Sequence, residues 1–325
     1  MAAPSVSIFI VNYNTCYLLE QCLKSIFENT GGLNLEVFIA DNNSSDGSSD
    51  MVKARFPQVF LTRYSRNVGY PRAINAMLAL GKGDYYLLLH PDLEILPNTL
   101  KRFLEFFESY PRAGILGGNL YYPDGTPNPC EILFPGFKND LLCFALRLLK
   151  KLPGGRKLVG DFNPLEWSHR STSEVNWVWN ACMLVRREVF ETIGYFDEDF
   201  YVWYADWDLC KRAADLGWSM YYVYSATAIH HERQSFAKED IAKEEVLYKV
   251  DGWYSASRQI QDRYTFLKKH CSRRSIYGVK TINVVENVLR LWLILGILVL
   301  GKAMFKEASF QLRACVQTIQ AILRA

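Results

Sequence analysis

Five bulky apolar residues, Tyr85, Tyr86, Leu87, Leu88 and Leu89, follow Gly83-Asp84 and run without a break into His90-Pro91-Asp92-Leu93-Glu94. A run this short, bounded by turn residues, predicts a strand buried on both faces. Buried strands of this kind belong to helix-covered α/β sheets, in which ligands bind beyond the carboxyl ends of the strands. Here that end presents two carboxylates, Asp92 and Glu94, one residue apart, with no Lys or Arg beside them. Unpaired, the two repel each other, and a divalent cation shared between them removes the repulsion. The same residues also suit a solvated acidic turn, so the rest of the chain has to decide.

The surrounding pattern repeats the motif of strand, polar loop and helix. Residues 7–11 are β-branched and apolar and end at Asn12-Tyr13-Asn14-Thr15, after which 17–27 has helical spacing through Leu18, Leu19, Cys22, Leu23 and Ile26. Residues 35–40 form a second strand ended by Asp41-Asn42-Asn43-Ser44-Ser45-Asp46-Gly47, and 59–62 a third. Asn67-Val68-Gly69-Tyr70 makes a turn before a helix over 73–80. These intervals predict a mainly parallel, helix-covered sheet. Beyond residue 115 the pattern loosens. Residues 121–126 read as a hairpin tip, 141–152 as a short apolar helix with a basic end, 175–186 and 220–223 as strands, and 206–217 and 243–275 as helices.

Residues 241–325 hold 14 Lys/Arg against 6 Asp/Glu, whereas residues 1–240 hold 23 against 28. A folded body that is acidic does not suit a nucleic-acid partner, and a basic tail suits an anionic membrane surface. The apolar stretch 291–300 is shorter than the roughly 20 residues of a bilayer span. It predicts a helix lying on the cytoplasmic leaflet, a re-entrant segment, or a segment buried between copies in a homo-oligomer. The eight cysteines form no C-x-x-C pair, and residues 1–10 lack a basic start, so reduced thiols and no secretory signal are expected.

Val11-Asn12-Tyr13-Asn14, the 41–47 loop, Asn67-Val68-Gly69-Tyr70, His90-Pro91-Asp92-Leu93-Glu94, Phe196-Asp197-Glu198-Asp199-Phe200, Asp206-Trp207-Asp208-Leu209 and His230 stand in the order seen in family 2 glycosyltransferases. Over residues 5 to about 236 the chain resembles that family, and most of all its bacterial rhamnosyltransferase-like subset. The resemblance implies a GT-A fold, Rossmann-like with a mixed sheet, together with a nucleotide-sugar donor, Mn²⁺ or Mg²⁺, and inversion at the anomeric carbon. Residues 1–240 are then the catalytic domain, with an amphipathic insertion at about 138–170, and 241–325 a helical, membrane-associating extension.

The residues fit such a ligand in outline. Val11, Asn12, Tyr13 and Asn14 sit at the first strand end, Tyr13 offering a stacking face. Asp41 either accepts hydrogen bonds from a base or ribose, as the family position does, or caps a loop. Asn43 shapes that loop or touches the nucleotide. Asn67, with Gly69 after it, either touches the nucleotide or caps the next helix, and Arg72 either reaches a phosphate or lies on a solvated face. The resemblance makes Asp92 and Glu94 the acidic metal motif, Asp92 also facing the nucleotide. It makes His230 the third ligand, with His231 the close alternative. It also places the general base at Asp206, with Asp208 as rival and acceptor-side neighbour.

Four positions depart from the family pattern: His90 stands where Asn is usual, Ala205 where Glu precedes the base, and Trp179 and Asn180 where a Ser-Gly pair is common. His90 is read as loop packing, and Trp179 and Asn180 as narrowing the sugar or acceptor pocket. The expected activity is transfer of a sugar, rhamnose from its dTDP form or a sugar from a UDP form, onto a glycan or lipid-linked glycan. Its expected location is peripheral, at the cytoplasmic face of the plasma membrane. The rival is a non-catalytic nucleotide-sugar or glycan-binding subunit on the same scaffold. A nucleotidyltransferase would need a glycine-rich basic loop, which residues 12–20 lack, and a dehydrogenase a G-x-G-x-x-G after the first strand, which is missing.

Overall fold

The computed structural model of the chain describes residues 5–128, 134–155, 157, 171–231, 249–250, 253–254, 257–299 and 305–324. Residues 156 and 158–170 of the expected insertion, and 243–248, 251–252 and 255–256 of the expected helix, lie outside the described residues.

Strand β1 (Ser5–Asn12) is apolar on both faces because it is central: β2 (Asn34–Asp41) and β4 (Tyr85–Leu89) flank it, both parallel to it. β3 (Phe60–Arg63) adds outside β2, also parallel. Helices α1 (Cys16–Asn29), α2 (Ser48–Arg55) and α3 (Tyr70–Leu78) make the crossovers. After β4 the chain forms β5 (Leu93–Ile95), α4 (Thr99–Ser109), β6 (Ala113–Tyr121), α5 (Phe137–Lys151), β7 (Ser173–Val175), β8 (Cys182–Arg186), α6 (Arg187–Ile193), α7 (Ala205–Asp215) and β9 (Ser219–His230).

The sheet runs β3-β2-β1-β4-β8-β6-β9-β5, with β7 beside β9. It is mixed. β8 lies antiparallel between β4 and β6, β9 is parallel to β6, and β5 is antiparallel to β9. The carboxyl ends of β1, β2, β4, β6 and β9 therefore share one edge with the start of β8. The core under the sheet is built from Ile8, Ile10, Leu19, Leu23, Ile26, Ile39, Leu87, Leu89, Phe103, Phe107 and Leu116.

The structure corrects two element expectations. Residues 175–186 are not one strand, because 176–181 leave the sheet between β7 and β8. The 243–275 segment is not one helix. Within it Lys249–Val250 (β10) and Trp253–Tyr254 (β11) pair antiparallel, and α8 (Ser257–His270) follows. The chain ends in α9 (Arg273–Val299) and α10 (Phe305–Arg324).

Contacts divide the chain into two units, one of residues 1–132, 165–201 and 205–237, the other of 133–164, 202–204 and 238–325. The segment read as an insertion in the first domain thus clusters with the C-terminal helices. That second unit has its own small core, Tyr264, Leu267, Val279 and Ile322. It is pinned by Arg263 to Asp140 and by Arg147 Nε to Glu286 Oε1 at 2.9 Å. Among the described residues no helix is long and apolar enough to cross a membrane.

Candidate active site

The loops after β1 and β2 brace each other. Asn12 is fully buried, and its Nδ2 donates to Asp41 Oδ1 at 3.1 Å and to Ser44 Oγ at 3.0 Å. The second Asp41 oxygen accepts from Ser49 Oγ at 2.5 Å, so this buried carboxylate ties β2 to the first turn of α2. Asn14 takes a left-handed φ of 53° and bridges Ser44 Oγ and Ser45 N. Tyr13 and Asn43 are exposed at the rim, next to the strand end formed by Val11. Asn67 Oδ1 accepts from Asn42 Nδ2, Gly69 N and Tyr201 Oη, which makes it the clasp of the turn before α3. Gly69 is required there: its φ is +84°, and a Cβ would sit 2.8 Å from Tyr201 O. Arg72 lies on the solvated face and pairs with Glu198 at 3.3 Å.

The acidic motif divides between two histidines. β5 pairs with β9 so that Leu93 faces His230 and Glu94 faces Ile229. Side chains alternate along a strand, so Glu94 falls on the face shared by Ile229 and His231, and its Oε1 lies 2.6 Å from His231 Nε2. Asp92, just before β5, is buried with His230 instead, Oδ1 lying 3.4 Å from Nε2. The third member is His90. Ligand atoms of His90, Asp92 and His230 all lie within 4.8 Å of one another, the one such group among the described residues. Sequence reasoning gave the third place to Glu94 and left His90 to packing. The register of β5 on β9 turns Glu94 away from His230, whereas Asp92 reaches His230 from the turn before β5, and no feature of the local sequence reveals that register.

Two amides hold the two imidazoles. Asn180 Oδ1 lies 3.1 Å from His90 Nε2, and Asn128 Nδ2 lies 3.0 Å from His230 Nδ1. Asn128 reaches this place because the tight turn at 122–126 doubles the chain back. Tyr121 then bridges Pro127, and Asn128 N donates to Leu120 O. Trp179 closes the wall, edge-on to both rings with centroids 4.9 Å from His230 and 6.0 Å from His90. A divalent cation fits the donor set. His90, Asp92 and His230 would be the residues to hold it, and nitrogen donors beside one carboxylate suit Mn²⁺ better than Mg²⁺.

Asp206 and Asp208 lie in the first turn of α7 but have different neighbours. Asp208 is buried and bound to Arg212 Nε at 2.7 Å, and Arg212 in turn donates to the carbonyls of Ile193 and Tyr195. That carboxylate is occupied in holding α6 to α7. Asp206 has no cation partner among these contacts. It accepts from Trp207 N at 3.0 Å and from Asn180 N at 3.5 Å. Burial drives its pKa up from the ordinary 3.8 to about 7, which is where a general base for a hydroxyl works best. Asn180 thus touches Asp206 through its main chain and His90 through its side chain.

Residues 7–145 match the family model "Glycosyl transferase family 2". The N-acetylglucosaminyl-diphospho-decaprenol L-rhamnosyltransferase of Mycobacterium tuberculosis is 30% identical over 225 residues, 63% of this chain and 69% of that protein. Among solved structures, GalNAc-T7 with UDP, GalNAc and Mn²⁺ superposes with a TM-score of 0.55 at 13% identity, covering 82% of this chain and 48% of that one. The mannosyltransferase PcManGT of Pyrobaculum calidifontis, solved with GDP-Man and Mn²⁺, gives 0.52 at 14% identity, covering 100% and 87%. These two likenesses concern the fold, which is of the GT-A type. With a relative at this identity over most of its length, the chain belongs to glycosyl transferase family 2 and is a glycosyltransferase.

Proposed function

We propose that the enzyme transfers a deoxyhexose, rhamnose from its dTDP-activated form, with inversion, to a glycan carried on a lipid diphosphate at the cytoplasmic face of a membrane. The observation that carries the catalytic part is the meeting at Asn180 of a buried base, Asp206, and a cation group, His90, Asp92 and His230. A cation bound there supplies positive charge to the departing nucleotide diphosphate. Asp206 takes the proton of the acceptor hydroxyl as that oxygen bonds to the anomeric carbon and the bond to the diphosphate breaks. Asn12, Asn14, Asp41 and Asn67 shape the loops expected to receive the nucleoside, and Trp179 walls the sugar side.

The choice of sugar and lipid acceptor is supported by the printed activity of the mycobacterial relative. Membrane contact is supported by the second unit. In α9, Val285, Val288, Leu289, Trp292 and Leu293 form one exposed apolar stripe, and in α5 Leu141, Leu142, Leu148, Leu149 and Leu152 form another, with Lys150 and Lys151 beside it. A stripe of this kind with a basic flank suits an interfacial helix. The test is release of nucleotide diphosphate from dTDP-rhamnose, UDP-hexoses and GDP-mannose with Mn²⁺, with and without acceptor lipid. Turnover of dTDP-rhamnose is expected. Binding of a donor without any release would leave a carbohydrate-binding subunit instead, and neither binding nor release would remove both readings.

A further inference from the structure

The residues at 90 and 180, both departures from the family pattern, touch each other. β8 runs antiparallel to β4 in a register that sets Leu89 against Cys182, and His90 N donates to Ala181 O at 3.0 Å. The residue before Ala181 is therefore carried to the His90 ring, and Asn180 Oδ1 meets Nε2 at 3.1 Å. An amide oxygen only accepts, so the imidazole donates from Nε2, and the neutral ring then keeps its lone pair on Nδ1. That is the usual arrangement of a metal-ligating histidine, whose second nitrogen is fixed by a carbonyl or carboxylate. His230 differs. As placed, Asn128 presents its NH₂ to Nδ1, so for Nε2 to ligate, the Asn128 amide has to turn its oxygen toward Nδ1–H. As placed, the Asn180 oxygen selects the Nδ1-lone-pair tautomer of His90, and His230 reaches a ligating tautomer by a flip of the Asn128 amide.

We propose that His90 is a cation ligand of this enzyme, that Asn180 is the positioning residue that fixes its tautomer, and that the pair tilts the site toward Mn²⁺-class ions over Mg²⁺. This rests on the reading of the site as a sugar-transfer centre but concerns its ion. Two imidazoles and one carboxylate form a donor set with more nitrogen than oxygen. Mg²⁺ holds to oxygen ligands and water, whereas Mn²⁺ and its heavier neighbours accept imidazole. A carboxamide at 180 also brings no charge, so it orients the ring without adding another anion beside Asp92.

The experiment is titration of the full-length protein with MnCl₂ or MgCl₂ alone, read by calorimetry and by the paramagnetic resonance signal of free Mn²⁺. Wild type should prefer Mn²⁺. His90→Asn should lose Mn²⁺ affinity while changing Mg²⁺ affinity little, and Asn180→Ala should lose about 10- to 100-fold toward Mn²⁺. Asn180→Asp, which keeps an acceptor oxygen facing Nε2, should recover most of that loss, as a packing role would not. Thermal melts accompany each variant, and His90→Gln stands in should His90→Asn fail to fold. Equal Mn²⁺ affinity in His90→Asn and wild type, or Asn180→Asp as weak as Asn180→Ala, overturns the proposal. A wild type that shows His90-dependent Mn²⁺ binding yet turns over no nucleotide-sugar would sink the transfer reading and leave this one standing.

Discussion

As the proposed general base, Asp206 would set stability against function. Its carboxyl holds a proton more tightly in the folded protein, pKa about 7, than in the unfolded chain, ordinary value 3.8. The folded state therefore loses stability as pH rises from about 4 through about 7, by on the order of a few kcal/mol. Asp206→Asn removes that charge. It should melt above wild type at about pH 8, with the gap shrinking toward about pH 4, while turnover falls ~10²–10⁴-fold. Calorimetric scans across pH and a steady-state assay check the two halves. In wild type, kcat/KM should climb about tenfold per pH unit on the acid side and level off above about 7, because only the ionised base accepts the acceptor's proton. Asp92→Asn should cost more turnover than Asp206→Asn, and chelation of the protein with EDTA should reproduce that loss reversibly.

At the level of elements, what the sequence discloses depends on how much side-chain pattern an element carries. β4 is legible because it is apolar at every position, and β1 because Ile8 to Val11 are. α1 is legible because Leu19, Cys22, Leu23 and Ile26 recur at helical spacing. β6 is not, since Gly114, Gly117 and Gly118 interrupt its apolar pattern, yet each is a place where another group fills the missing side chain. A Cβ on Gly117 would lie 2.6 Å from Val178 Cγ1, and one on Gly118 would lie 3.1 Å from Cys182 Sγ. Gly117→Ala should therefore destabilise by roughly 1–3 kcal/mol through overpacking. It should also lower turnover, because Val178 leads directly into Trp179 and Asn180; a melting curve and an assay on the same sample test both. Asp92, Asp206 and His230 stand out as candidates by residue type and order. The His90–Asn180 contact and the Glu94–His231 pair could not, because both follow from strand registers, and only Cα-to-Cα pairing determines which side chains meet.

For the whole molecule, the proposed lipid-linked acceptor calls for a surface that can rest on a membrane. The second unit leaves Trp292 71% and Leu293 56% exposed on a helix too polar at its start to span a bilayer. Burying such a stripe at a headgroup boundary is favourable, and nearby Lys and Arg add an attraction that salt weakens. Trp292→Glu with Leu293→Glu should cut co-sedimentation with phosphatidylglycerol vesicles several-fold and leave cleavage of a soluble donor unchanged. Unaltered vesicle binding would move the contact elsewhere.

The reversed run of β8 has one more consequence. Because that strand enters the sheet where its neighbour leaves, residues 90 positions apart in the chain share a single neighbourhood and carry a joint constraint. Transplanting the imidazole alone into a sister enzyme would give a ring with no partner to select its tautomer, and transplanting the amide alone would add bulk with nothing to hold. Variation at these two sites should therefore arise in tandem, and a designer seeking to retune the ion would have to change both at once.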